Sequence, residues 1–168
     1  MSFSMYKASV PQFQRMLNQL LVLLQKAESH AENRKIDPAV LLQSRLFPDM
    51  FPLIRQIQIG CDFAKGAAAR LAGVEVPKFE DNEGSFNDIY QRIHATQKFI
   101  ETLTPAQIES SAERDIQLSI AGNNLEFKGS DYLISFVLPN FYFHLTTAYA
   151  ILRHNGVELG KRDFIGSV

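Results

Sequence analysis

One cysteine, Cys61, is all the thiol chemistry this chain of 168 residues contains, which excludes an internal disulfide and fits a reducing compartment. An excess of either charge is also missing. Seventeen basic and 18 acidic side chains leave a formal net charge of -1, with no Lys/Arg cluster of the kind that follows a phosphate backbone, so no nucleic-acid partner is expected. The first residues show no basic segment followed by an apolar core and a small-residue cleavage site, so no secretory signal is expected. The chain has no Gly-rich phosphate loop, Gly-x-Ser-x-Gly elbow, Cys-x-x-Cys pair or His-Glu-x-x-His motif. No nucleophile-and-base pair can be named, and the conventional enzyme classes are unsupported. Repeats and low-complexity segments are absent too. What is present, 46% hydrophobic and 21% charged residues, describes a globular chain long enough for a single domain over 1–168 with a real core.

The most informative lack is local. From Tyr132 to Leu152 there is no Asp, Glu, Lys or Arg, yet Asn140 and His144 sit in the middle of the run, four residues apart. By length this stretch could cross a bilayer. Pro139, Asn140, His144, two threonines and three tyrosines favour instead a buried helix in a soluble bundle, with no membrane partner. A helix that is apolar nearly all round belongs at the centre, covered by others. The four-residue spacing points both polar side chains the same way, into that centre.

The remaining periodicity predicts the cover. Ser9-Val-Pro11 opens a first helix whose face is Phe13, Leu17, Leu20, Leu24 and Ala27, with its exit at Asn33-Arg34-Lys35. Asp37-Pro38 starts a short helical piece over 39–44, followed by a proline-stiffened apolar segment, Leu46 to Pro52. A second long helix runs from Pro52 to Gly73 on the stripe Leu53, Ile57, Cys61, Ala64, Ala68 and Leu71. Glycines 60 and 66 within it predict close approach by another helix. Ser85 to Asp88 resembles a capping box opening the third helix, and Thr104-Pro105 starts one more turn. Between 113 and 128 the apolar period changes to two, which predicts a β-hairpin turning at Gly122-Asn123-Asn124. Ser130 caps the fourth helix, Asn155-Gly156 ends it, and the tail folds back on the bundle.

Four segments resemble one known family. They are Leu46-Phe-Pro-Asp-Met-Phe-Pro-Leu53, Gln56 through Ala69, Leu138-Pro-Asn-Phe-Tyr-Phe-His-Leu-Thr-Thr-Ala-Tyr-Ala-Ile-Leu-Arg-His-Asn-Gly156 and Leu159-Gly-Lys-Arg-Asp-Phe164. The similarity is to a bacterial family known as domain of unknown function 1993, grouped with the DinB/YfiT-like metalloenzyme superfamily. It implies an all-α, DinB-like four-helix bundle of unusual connectivity, often dimeric, here with short extra helices and a small hairpin between helices 3 and 4. In many members three histidines hold a divalent metal, one on the second helix and a His-x-x-x-His pair on the fourth. Counting back from Leu152-Arg153-His154-Asn155-Gly156, the second of that pair falls on His144 and the first on Asn140. The second helix has no histidine; Gln58 or Asp62 lies nearest the expected place. One ligand of three is kept.

The residue-level expectations follow. His144, Asn140, Asp62 and Gln58 are the candidate ligand-binding residues, and His144 with Asp62 the candidate metal ligands. The simpler readings stand beside these: a satisfied imidazole for His144, repair of a Pro139-kinked helix for Asn140, and an ion pair with Lys65 for Asp62. Cys61 reads as an inert core thiol, Asp49 as a brace before the second helix, and Tyr142 and Tyr149 as packing. Arg153, Lys161 and Arg162 are solvated or ion-paired groups before they are an anion site. The leading functional expectation is a cytoplasmic small-molecule-binding homodimer on a scaffold with a degenerate metal site and no cofactor. The alternatives are a divalent-metal (Zn or Ni) hydrolase or transferase, and a purely structural homodimer.

Overall fold

A computed structural model describes residues 3–120 and 122–166. The chain opens with a helical turn that the periodicity did not predict, α1 (Met5–Ala8), capped by Ser4. The long helix α2 (Val10–Arg34) follows with Pro11 in its first turn. Ser9 does not cap α2. Its hydroxyl donates instead to Met5 O at 2.7 Å and Tyr6 O at 3.2 Å, because the turn before it already presents carbonyls. Asp37 caps α3 (Pro38–Leu42), accepting from the Ala39 N–H at 2.9 Å. The next long helix, α4 (Leu53–Ala72), starts after Pro52 and is closed by Gly73 in the left-handed region, φ 71°. A full capping box between Ser85 and Asp88 starts α5 (Phe86–Glu101). The turn α6 (Pro105–Ile108) runs on into a 3-10 turn, Glu109–Glu113.

The hairpin is β1 (Asp115–Ile120) paired antiparallel with β2 (Asn123–Lys128). Its reversal is tighter than predicted. Asn123 and Asn124 pair with Ile120 and Ser119, and the chain turns back between Ile120 and Asn123 with Gly122 at φ 83°. The Ile116–Phe127 and Leu118–Leu125 pairs share one face, and Phe127 packs on Tyr132 and Phe136 at 5.9 and 5.3 Å between centroids. That contact supplies the support that two strands lack alone.

Ser130 is inside the fourth helix rather than at its cap, because the helix starts two residues earlier, after Lys128. It proceeds through α7 (Gly129–Asp131), a π-helical turn (Tyr132–Val137) and α8 (Leu138–His154). In the π turn the Leu138 N–H reaches back five residues to Leu133 O. Gly156, φ 86°, ends the helix, and α9 (Lys161–Ile165) folds back onto α2 through Arg15 Nη1 to Ile165 O and the Lys26–Asp163 ion pair.

The four long helical segments form the bundle, but the enclosed one is not the one expected. Fifteen of the 20 residues of α4 are buried, against six of the 17 of α8. A stretch without charge is not thereby covered: Pro139, Phe143 and Thr146 face outward, Phe143 with 57% of its surface exposed. The α4 helix touches α2, α5 and α8. Its predicted stripe, Leu53, Ile57, Cys61, Ala64, Ala68 and Leu71, is wholly buried. Gly60 lets α8 come close, since a Cβ there would lie 2.7 Å from Leu145 Cδ1 in the core. Among the described residues no helix is long and apolar enough to cross a membrane.

The α4–α8 contact can be tested by adding bulk to it. Gly60→Val is expected to destabilise the protein by about 1–3 kcal/mol through overpacking, measured as a lower urea midpoint with an unchanged m-value.

Candidate functional site

The His144 ring lies where α8 meets the first turn of α4. Its Nδ1 is 2.7 Å from Gln56 Oε1, and Gln56 Nε2 donates to Phe51 O at 3.0 Å. Gln56 is only 2% exposed, so both ends of its amide are committed inside the protein. Phe63 lies nearly parallel to the imidazole, 6.0 Å between centroids, and Phe143 meets it edge-on at 5.3 Å. Phe63 also touches Phe136, so aromatic contacts run from the hairpin to the histidine. Burial lowers the His144 pKa below the usual 6.5, and the Arg55 cation adds to that. The ring is therefore neutral at physiological pH.

Asn140, one turn before His144, donates from Nδ2 to Phe136 O at 2.7 Å. This is the helix-repair role: Pro139 has no N–H to give, the preceding turn is π-helical, and the side-chain amide satisfies a carbonyl there.

Gln58 and Asp62 do not join His144. Successive residues of an α-helix are about 100° apart, so Gln58 and Gln56 look in nearly opposite directions from α4. Gln58 Nε2 donates to Glu83 Oε2 at 2.7 Å. Asp62 Oδ1 pairs with Lys65 of α4 and, at 2.8 Å, with Arg92 of α5. The ion pair expected between Asp62 and Lys65 thus exists, within a larger network. The Arg92 side chain is 2% exposed and also meets Glu83 and Asp81, at 2.8 and 2.9 Å, and Glu80 O at 3.1 Å. Arg55 closes the ring on Asp81. Phe79 lies under the Lys65 ammonium, 4.7 Å from ring centre to Nζ, with the Arg92 guanidinium 5.8 Å away. Three cations and three carboxylates therefore pin the 74–84 connection to α4 and α5. Burial raises the Asp81 carboxyl, but Arg55 and Arg92 outweigh it and hold the group below its ordinary range.

The donors around His144 do not fit the three-histidine metal site of the superfamily. Beside one imidazole, whose Nδ1 is committed, there are only the neutral amides of Gln56 and Asn140, poor partners for zinc or nickel. Among the described residues no group of three His, Cys, Asp or Glu side chains could hold a metal ion. Cys61 is buried, and desolvation pushes its thiol up to about 12, as an inert core thiol requires. Asp49 is exposed; Arg45 Nη1, donating to Met50 O at 3.2 Å, braces that segment instead. Tyr149 packs edge-on against Phe164, Tyr142 against Phe141, and Arg153 donates to Val157 O. Gln56 is the site residue that sequence reasoning missed. Its signal was there: it lies four residues before Gly60, on the side of α4 that the absent side chain opens to a neighbour.

Two outcomes follow from these environments. Arg92→Met leaves three carboxylates without their common partner and is expected to cost about 3 kcal/mol, the lower end for a buried pair because Asp62 and Asp81 stay partly hydrated. Urea denaturation measures it. For His144 the folded state disfavours the proton, so stability is complete above pH 6.5 and falls as the pH drops from 6.5 through the lowered folded value. His144→Gln is expected to flatten that slope in melting curves taken at stepped pH.

The model of the family described as "Domain of unknown function (DUF1993)" matches residues 5–165. A crystal structure of a DinB family member protein from Shewanella denitrificans superposes with a TM-score of 0.89 at 44% identity, covering 97% of this chain and 92% of that one. No curated protein matches the chain.

Proposed function

The chain belongs to the DUF1993 family, of DinB-like fold, and on that scaffold we propose that it binds a small organic molecule at the seam between Gln56, Asn140 and His144. The observation that carries this reading is the hydrogen bond from His144 to a buried amide of the neighbouring helix. That partner is itself locked to a backbone carbonyl, so the ring is held in one orientation. The ring is half-buried, with one nitrogen committed and the other, Nε2, accepting nothing from a described residue. The exposed Phe143 ring, next in the chain, meets it edge-on. One polar group in an apolar surround is how proteins fix the orientation of a small ligand. A homodimer belongs to the same proposal, so light scattering belongs beside every binding measurement.

A thermal-shift screen of small organic molecules is expected to give hits whose shift is lost in His144→Ala and reduced in Asn140→Ala. Purified without a metal-binding tag, supplemented with zinc or nickel and then dialysed, the protein is expected to retain no stoichiometric metal by elemental analysis. Retention of one equivalent, lost in His144→Ala, would reverse the reading in favour of a metal-dependent hydrolase or transferase. A screen without hits removes the binding function and leaves a structural bundle.

A further inference from the structure

The hydrogen bonds around His144 determine more than its position. A backbone carbonyl only accepts, so the Gln56 atom facing Phe51 O must be its NH2, and the atom facing His144 must be its carbonyl oxygen. The imidazole nitrogen 2.7 Å from that oxygen must then carry a proton. In a neutral ring this leaves Nε2 as a lone pair. The same accounting holds one turn earlier. Asn140 gives its NH2 to Phe136 O, so its unspent end is the carbonyl oxygen. Neither Nε2 of His144 nor Oδ1 of Asn140 takes a hydrogen bond from a described residue, and both are acceptors. Arg55, the nearby cation, spends its Nη1 away from the seam, on Asp81 and on Gln58 Oε1.

Building on the small-molecule reading, we infer that the Gln56 amide, locked by the Phe51 carbonyl, holds the His144 proton on Nδ1 and presents Nε2 as an acceptor, so that the seam selects a neutral aromatic molecule carrying an O–H or N–H donor. The donor is required by the polarity of both unspent atoms. A carboxylate brings no donor to either unspent atom, and an ammonium would meet the Arg55 charge. The aromatic character follows from the rings at hand: Phe63 stacked on the imidazole, and Phe143 edge-on to it with 57% of its surface exposed. Gln56 is a positioning residue in this scheme, acting through the tautomer of His144.

The experiment has a spectroscopic arm and a ligand arm, both on the full chain. In mildly alkaline buffer, 15N NMR of histidine-labelled protein is expected to show an Nδ1–H histidine signal that is lost in His144→Ala. Gln56→Met keeps the length and removes the amide, and should return that ring to the Nε2–H form that a free histidine side chain prefers. An Nε2–H signal for His144 in the unsubstituted protein overturns the inference and leaves the binding reading untouched. So does a Gln56→Met protein that is folded but unchanged in tautomer. If Gln56→Met does not fold, the unsubstituted protein decides alone. In the ligand arm, phenol and anisole are titrated against the His144 signals. Phenol is expected to bind about tenfold more tightly, the equivalent of one net hydrogen bond. Equal binding, or a preference for anisole, overturns the donor requirement. Binding of neither overturns the ligand class, while library hits of other chemistry on the same residues would keep the broader reading alive.

Discussion

The close approach of α4 and α8 at Gly60 is the constraint from which the rest of the molecule follows. Because Leu145 occupies the space a side chain would take, the two helices can share polar groups across a short gap, and the turn of α4 before Gly60 presents Gln56 to His144. Helical phase then sorts every polar residue of α4. Gln56, Gly60 and Phe63 lie on the α8 side. Gln58, Asp62 and Lys65, about 200° further round, face α5 and the 74–84 connection. One helix therefore supports two polar clusters that never meet, with the apolar stripe from Leu53 to Leu71 between them.

The two clusters do different physical work. Around Arg92 the charges balance, and the side chains bind a loop that has little apolar surface of its own. Burying a guanidinium is tolerable there because three carboxylates and a backbone carbonyl meet it; among the buried side-chain polar atoms of the described residues only its Nε and the Ser111 hydroxyl lack a partner. The charges of that cluster are spent on one another and on holding the loop. Around His144 no full charge is buried, the Asn140 amide is half used, and the exposed Phe143 ring stands beside the imidazole. An incomplete set of hydrogen bonds beside apolar surface is a feature of sites rather than of cores.

Much of this was legible in the sequence. Period and capping located each long helix, the period of two located the hairpin, and the Pro-Asn-Phe-Tyr-Phe-His run identified the family. The failures have physical causes. Lack of charge from Tyr132 to Leu152 suggested enclosure, yet a helix against one flank of a bundle can carry Phe143 and Thr146 outward at modest cost, since exposed apolar atoms are common on protein surfaces. Gln-Ile-Gln at 56–58 offered two amides with no local reason to choose between them. Only the partner helix breaks that tie, and its phase is set by a π turn that no periodicity reveals.

That π turn, with Pro139 and Asn140 after it, deserves to be read as one device. Adding a residue to a helical turn rotates everything downstream by about 100° relative to a regular helix, and here it separates the hairpin-facing Tyr132 from the seam-facing His144. Proline at 139 offers no N–H to the turn before it, and the Asn140 side chain adds a donor to that turn, at Phe136 O. The same amide, once its NH2 is used, keeps its carbonyl oxygen as an unspent acceptor one turn from His144. Repairing the backbone and polarising the site are then a single act. Asn140 need not be a relic of a lost ligand to be functional here.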